Sequence, residues 1–226
     1  MKTSTRYTLE FVRSELPDGA TRVLEIGCGS GELAAQLLHA GLEVVAIDSD
    51  ARSATAARAL GVDARAETWP APVDGKFDAV LFTRSLHHIH ELDAAIACAA
   101  DVLASGGRII VEDFRAEGAG ARSRRWYAGL ARVLAECGSL SGASLDQLLA
   151  KVGDGSDDHD LHGSRRIEGA LGARLATDRR DAAYYFRYFE PALTREAATQ
   201  AVLEMELDLI QLRSIDALGR RYVARI

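Results

Sequence analysis

The sequence predicts an α/β fold built on a doubly wound, mostly parallel sheet, with a helical cap inserted late in the chain and an antiparallel last strand. Three observations predict it. Short apolar runs alternate with alanine- and leucine-rich stretches of helical period over the first 115 residues, as in successive βαβ units. The first run is followed by the glycine-rich turn "GCGSGE", where a strand must pass sharply into a helix. Residues 207–226 hold two strand-like runs joined by a short connection, which suits antiparallel pairing.

Taken in order, Arg22–Ile26 reads as the first strand and 31–40 as the helix that follows the glycine turn. Residues 43–47 ("EVVAI") form a second strand, 51–60 a second helix and 62–64 a short third strand. The fourth strand spans 77–82 ("FDAVLF"), a helix spans 92–104, and the fifth strand spans 108–112 ("RIIVE"). Runs apolar nearly throughout belong to strands covered on both faces and connected by right-handed crossovers. Residues 116–203 then far exceed the dozen or so that a crossover needs. They carry helical spacings at Trp126, Leu130, Val133, Leu134 and Cys137, and again at Ile167, Leu171 and Leu175. The polar tract "GDGSDDHDLHGS" between them reads as a loop. The expected organisation is therefore a cofactor-binding part over 1–115, a helical lid over 116–203, and a hairpin over 204–226 pairing 207–215 with 220–226. A lid inserted there would cover the carboxyl ends of the strands, where open α/β sheets bind ligands.

Composition narrows the partners. A chain of 226 residues that is 48% hydrophobic can bury one large core. Its net charge of -6 lacks the broad positive field that phosphate backbones attract, so a small molecule rather than nucleic acid is the expected partner. Cys28, Cys98 and Cys137 are far apart and odd in number, giving neither a disulfide framework nor a zinc spacing. No metal is expected, and a reducing cytoplasm fits such cysteine usage. No apolar run reaches membrane-spanning length, so no membrane association is expected. Composition leaves the oligomeric state open.

The turn after the first strand narrows the ligand. Its spacing is G-x-G-x-G over Gly27, Gly29 and Gly31, whereas a dinucleotide fingerprint needs glycine where Glu32 stands. Glu25 and Glu32 would also oppose a pyrophosphate at the helix N-terminus. A ligand without phosphate, preferably cationic, suits the loop better. Twenty-one positions after Gly27, Asp48 ends "EVVAID", where an acid can take both ribose hydroxyls of an adenosine.

Four stretches in order, "VLEIGCGSG", "VVAIDSD", "FDAVLFTRSLHHI" and "LASGGRIIVEDF", resemble the class I S-adenosylmethionine-dependent methyltransferases. The resemblance covers about the first 115 residues and the terminal strands. It implies a Rossmann-like sheet of seven strands with the last antiparallel, and S-adenosyl-L-methionine as cofactor. It implies further that Glu25 organises the methionine end of the cofactor, with Gly27, Cys28, Gly29 and Gly31 forming the loop against it. Asp48 and Ser49 would lie at the ribose, and Thr83 at the end of the fourth strand. Related sequences place an aspartate after the third strand to accept from the adenine amino group, but here "ARAETWP" puts Arg65 in that place. Either Glu67 accepts instead and the backbone at Ala66 touches the ring, or Glu67 simply faces solvent. Cys28 reads as a small packing residue, because no adjacent histidine activates it.

A sulfonium methyl is already activated, so the protein must align an acceptor, exclude water and in some cases remove a proton. The turn "TRSLHH" lacks the patterns used on nucleobase amines or cytosine carbon. His88 is a candidate base and His87 a candidate substrate contact, although similar turns in relatives with unrelated substrates imply a framework role. His159 and His162 in "DDHDLH" are further candidate bases, against the plainer reading of a solvated loop. Tyr184, Tyr185 and Tyr188 in "YYFRYF" form adjacent helical stripes, read equally as a pocket wall or as packing. The expected function is methyl transfer to an oxygen or nitrogen of a small, partly aromatic metabolite. The alternatives are an RNA or protein methyltransferase and a non-catalytic cofactor-binding regulator.

Overall fold

The computed structural model describes residues 1–115, 117–141, 144–152 and 162–226. Helix α1 (Thr3–Glu15) leads into β1 (Arg22–Ile26), α2 (Glu32–His39), β2 (Glu43–Asp48), α3 (Ala51–Ala59) and β3 (Asp63–Ala66). Then follow β4 (Phe77–Thr83), α4 (Leu92–Asp101), β5 (Leu103–Phe114), α5 (Ala121–Glu136), α6 (Leu145–Ala150) and α7 (Ser164–Gly172). The chain ends with β6 (Ala176–Ala182), α8 (Phe186–Phe189), α9 (Glu196–Gln211) and β7 (Gly219–Arg225). Among the described residues these strands make one seven-stranded sheet in the order β3-β2-β1-β4-β5-β7-β6. Strands β1 to β5 pair in parallel and the last strands are antiparallel.

The chain divides into two compact units. The first contains Tyr7–Asp113, Asp160–Arg180 and Arg221–Ile226, and so nearly all of the sheet. Successive side chains alternate between two buried clusters: Leu24, Ile26, Val45, Ile47, Val80 and Phe82 in one, and Val23, Val44, Ala46, Ala79 and Leu81 in the other. Both faces are covered, which is why these strands read as continuous apolar runs. Glu112 on β5 is an exception, a carboxylate only 2% exposed. Its Oε2 accepts from Arg221 Nε at 2.8 Å and Nη2 at 2.6 Å, and its Oε1 accepts from Thr8 Oγ1 at 2.6 Å. The Arg221 guanidinium also lies 4.0 Å over the Tyr7 ring and 4.3 Å over Phe11. One acid thereby ties α1, β5 and β7 together.

The second unit contains Met1–Arg6, Phe114–His159 and Asp181–Arg220. Glu206 is fully buried in it and accepts the backbone N–H groups of Tyr184, Tyr185 and Phe186 at 2.6, 3.0 and 2.9 Å. The start of α8 is thus capped by a carboxylate reaching from α9, and burial pushes that carboxyl up to about 7. The rings of Tyr127, Tyr185, Tyr188 and Phe189 pack beside it, with centroids 4.6 to 6.2 Å from Tyr127.

Two expectations for the tail are corrected. Leu207 and the residues to Gln211 end helix α9 instead of pairing with the last strand, so 207–215 is not half of a hairpin. Alternation of leucines there suited a strand, but Val202, Leu203 and Glu206 bury one helical face at the same time. Strand β7 lies between β5 and the edge strand β6, whose residues "ATDRRDA" are almost all solvent-facing. An exposed edge strand needs no apolar alternation, and its charges suit an edge. The segment expected as one helical insertion over 116–203 is divided between the units: α7 and most of β6 fall in the sheet-bearing unit, not in the helical one.

Candidate active site

The strand order reverses between β1 and β4, and the loops leaving β1, β2 and β4 emerge at that switch point. Gly27 follows β1 with φ +74°, and its N–H donates to the Ile47 carbonyl at 2.7 Å. A Cβ at Gly27 would stand 2.3 Å from Cβ of Ser85, and one at Gly31 2.7 Å from Cα of Ala57. Gly29, at φ +54°, has open space instead. The outer glycines therefore let the β4 turn and α3 close on the loop, while the middle one fronts empty volume. Replacing Gly27 with alanine should lower the melting temperature more than the same change at Gly29. Both lose the left-handed preference, worth roughly 1–2 kcal/mol, but only Gly27 adds a clash. Equal shifts in thermal melts would contradict this packing.

Asp48 holds the loop from the end of β2. Its Oδ2 accepts the Gly29 N–H at 2.7 Å and its Oδ1 accepts the Asp50 N–H at 2.9 Å. Ser49 beside it is exposed, and Asp50 caps α3 through the N–H groups of Arg52 and Ser53. Glu25 lies behind the loop and is 1% exposed. Its Oε1 accepts from Thr83 Oγ1 at 2.9 Å, while Oε2 is buried with no hydrogen-bond partner among the described residues. Loss of solvation pushes this carboxyl up to about 7, only partly offset by Thr83, the Arg84 charge and the Ala34 backbone N–H.

At the end of β3, Ala66 pairs with Asp48, and the Glu67 N–H donates to the Asp48 carbonyl at 3.0 Å. Arg65 points to Asp63, 3.7 Å away. The Trp69 ring is buried beyond them, its Nε1–H donating to the Ala95 carbonyl at 3.1 Å.

The turn after β4 is held from three sides. Ser85 Oγ donates to the Ile26 carbonyl at 2.5 Å. His87 is buried, its Nδ1 2.6 Å from Asp113 Oδ1 and its backbone N–H donating to Asp113 Oδ2 at 3.3 Å. The His162 N–H donates to the His87 carbonyl at 2.9 Å. His162 Nε2 lies 2.9 Å from the Ile89 carbonyl and 3.3 Å from that of His90. Carbonyls only accept, so Nε2 carries the proton and His162 acts on this turn as a clamp.

These loops enclose a cavity of about 660 Å³, lined among others by Gly27, Gly29, Asp48, Ser49, Glu67 and His88. His88 is exposed into it, its ring 4.0 Å from that of His87. Of the residues singled out from sequence, Glu25 and Thr83 lie behind the lining, Cys28 and Gly31 are buried in the loop, and Ala66 is at the β3 edge. Tyr185 is fully buried and Tyr184 nearly so in the helical unit, whereas Tyr188 is half-buried. His159 lies outside the described residues. Burial pushes the Cys28 thiol up to about 12, as suits a packing residue. Sequence reasoning missed Arg84, Trp69 and Asp113. A lone arginine in a turn carries no periodic signal, and Asp113 acquires its meaning only beside His87.

A family model described as a methyltransferase domain matches residues 5–153. The ubiquinone biosynthesis O-methyltransferase of Xanthomonas axonopodis pv. citri (strain 306) is 33% identical over 112 residues, covering 46% of this chain and 47% of that protein. The protein of the same name from Chelativorans sp. (strain BNC1) is 34% identical over 107 residues, 44% and 42% of the two chains. The chain thus matches less than half the length of these curated relatives. Among solved structures, a possible histamine N-methyltransferase from Thermotoga maritima matches 98% of this chain and 88% of its own, with TM-score 0.58 and 16% identity. The [4+2]-cyclase SpnF matches 98% and 80%, with TM-score 0.60 and 20% identity, so this fold hosts more than one chemistry. The domain match, which covers more than half of the chain, agrees with the sheet order and the glycine loop: the chain belongs to the class I S-adenosylmethionine-dependent methyltransferase family.

Proposed function

We propose that this protein transfers the methyl group of S-adenosyl-L-methionine to an oxygen or nitrogen of a small, partly aromatic acceptor. The observation that carries the reading is a switch-point cavity with an open Gly29 and the acid Asp48 in its lining and, behind that lining, a buried Glu25 oxygen without a hydrogen-bond partner among the described residues. These groups fit an adenosine bearing a cationic amino acid. Asp48 and Ser49 would hold the ribose, Glu67 and the Ala66 backbone the adenine side, and Gly27 and Gly29 the chain between. Glu25, oriented by Thr83, would take the ammonium, with Cys28 and Gly31 keeping the loop compact. The names of the curated relatives support a small-molecule oxygen acceptor over RNA or protein.

The cofactor supplies an activated methyl on a sulfonium, and the chain's own residues supply alignment and proton removal. His88 reaches the cavity and would accept the acceptor's proton at an imidazole nitrogen. His87, fixed by Asp113, keeps the turn in place, and His162 clamps its far end. Replacing His88 with glutamine should then lower turnover roughly 10²–10⁴-fold, with cofactor affinity nearly unchanged. Incubating the protein with methyl-labelled cofactor and a panel of phenols and amines tests the assignment. Label in a small product is expected, whereas label only in RNA or protein would reverse it.

The carboxyl of Glu25 adds a pH signature. Raised to about 7, it is mostly protonated in the free protein at pH 6 and mostly ionised at pH 8. A folded-state value above the ordinary one contributes stability that is present below about pH 4.5 and is lost as pH rises through 7. An ammonium ligand favours the ionised form, so binding at pH 6 expels a proton and affinity rises with pH toward 8. Calorimetry at pH 6 in buffers of different ionisation enthalpy should register that release, and buffer-independent heats would remove Glu25 from the site.

A further inference from the structure

We propose that Arg84 is the carboxylate-reading residue of the cavity, seizing an anionic group of the bound ligands with its guanidinium. The inference rests on the methyltransferase reading above and adds to it a ligand charge that the glycine loop does not specify. Four observations carry it. Arg84 directly follows β4 and sits at φ +62°, a left-handed conformation that a long side chain adopts only at a cost. Its backbone N–H donates to the Glu112 carbonyl at 2.6 Å, so the strained conformation is fixed and not a loose end. Among the described residues lining the cavity, Arg84 is the one lysine or arginine, set against Asp48, Glu67 and Glu91. Its side chain is 38% exposed, so part of it is open to a ligand.

The pairing on the protein side is weak. Arg84 Nη1 stands 3.6 Å from Glu112 Oε1, and that carboxylate already takes two N–H groups of Arg221 and the hydroxyl of Thr8. Glu112 therefore steers the guanidinium without saturating it. A planar fork of five donors on a residue that lines the cavity, where the other charged side chains are Asp48, Glu67 and Glu91, matches a carboxylate in geometry as well as charge. The nearby Glu25 contributes the opposite sign, so this end of the site offers one acid for a cation and one guanidinium for an anion. The carboxylate it reads belongs either to the amino-acid end of the cofactor or to the acceptor.

The test uses the full chain and the variants Arg84→Asn and Arg84→Lys. Asparagine tolerates the left-handed region, so Arg84→Asn should melt at or above the wild-type temperature, which separates loss of binding from loss of fold. In calorimetry with S-adenosylhomocysteine, a roughly 10–100-fold loss of affinity in Arg84→Asn, partly restored in Arg84→Lys, supports the proposal and places the carboxylate on the cofactor. Decarboxylated S-adenosylmethionine should then bind wild type and variant alike. If S-adenosylhomocysteine binding is unchanged, the protein saturated with it is titrated with 3,4-dihydroxybenzoate and with catechol. A preference for the acid in wild type that vanishes in Arg84→Asn supports the proposal and places the carboxylate on the acceptor. Equal affinities of wild type and variant for all these probes would overturn it. Failure of wild type to bind S-adenosylhomocysteine at all would instead overturn the methyltransferase reading on which it rests.

Discussion

Replacing Glu112 with alanine is expected to lower the melting temperature by roughly 6–20 °C, the largest stability effect of any single substitution considered. Glu112 is 2% exposed and the Arg221 side chain 14% exposed, so neither charge is screened by water. Removing one partner leaves the other buried without compensation, which typically costs about 3–5 kcal/mol. For a domain of this size each kcal/mol shifts the midpoint by roughly 2–4 °C. Thr8 loses its acceptor as well, and Arg84 its nearest anion. Replacing Glu112 and Arg221 together with apolar residues of similar volume should restore much of the loss, because the pair as a whole is far less favourable than its breakage suggests. A melting curve for Glu112→Ala within 2 °C of wild type would show that the anchor between α1, β5 and β7 carries little.

Replacing Asp48 with alanine should have the largest effect on ligand affinity. The carboxylate both fixes Gly29 at 2.7 Å and stands at the proposed ribose position. Each charge-assisted hydrogen bond lost is worth roughly 1.5–3 kcal/mol, so losing the bonds to ribose costs about 100-fold or more in affinity. Asp48→Asn keeps one oxygen acceptor and should fall between alanine and wild type. Circular dichroism should remain native for both, since Asp48 lies at a strand end with its side chain at the cavity. An unchanged dissociation constant in folded Asp48→Ala would mean that the adenosine lies elsewhere.

Strands β1, β2, β4 and β5 were legible in the sequence because they are buried on both faces over most of their length, and burial writes itself as continuous apolar runs; β3, at an edge and largely exposed, gave a weaker signal. Their boundaries moved by one or two residues, apart from β5, which begins at Leu103 instead of 108. The glycine loop was legible for a different reason, since left-handed backbone and close approach to Ser85 and Ala57 admit almost nothing else. What failed is equally physical. Strand β6 sits at an exposed edge and shows no apolar period, while α9 mixes leucines on several faces and imitates alternation. At the site, Asp48 could be placed by offset alone, but His87 and His162 could not be distinguished from bases by residue type. Only the 2.6 Å contact to Asp113 and the two carbonyls at His162 Nε2 separate framework from cavity. Tyr185 was ambiguous for a similar reason, because a helical aromatic stripe looks the same whether it faces a ligand or its own core.

The loop from Gly27 to Gly31, with Glu25 and Asp48, is proposed to seat an adenosine carrying a cationic amino acid rather than a dinucleotide. Calorimetric titration of the wild-type chain with S-adenosylmethionine, alongside NAD under the same conditions, tests it most directly. The expected result is one S-adenosylmethionine per chain, bound more tightly at pH 8 than at pH 6, with no heat from NAD. Saturable binding of NAD, or no binding of S-adenosylmethionine by the folded protein, would contradict it.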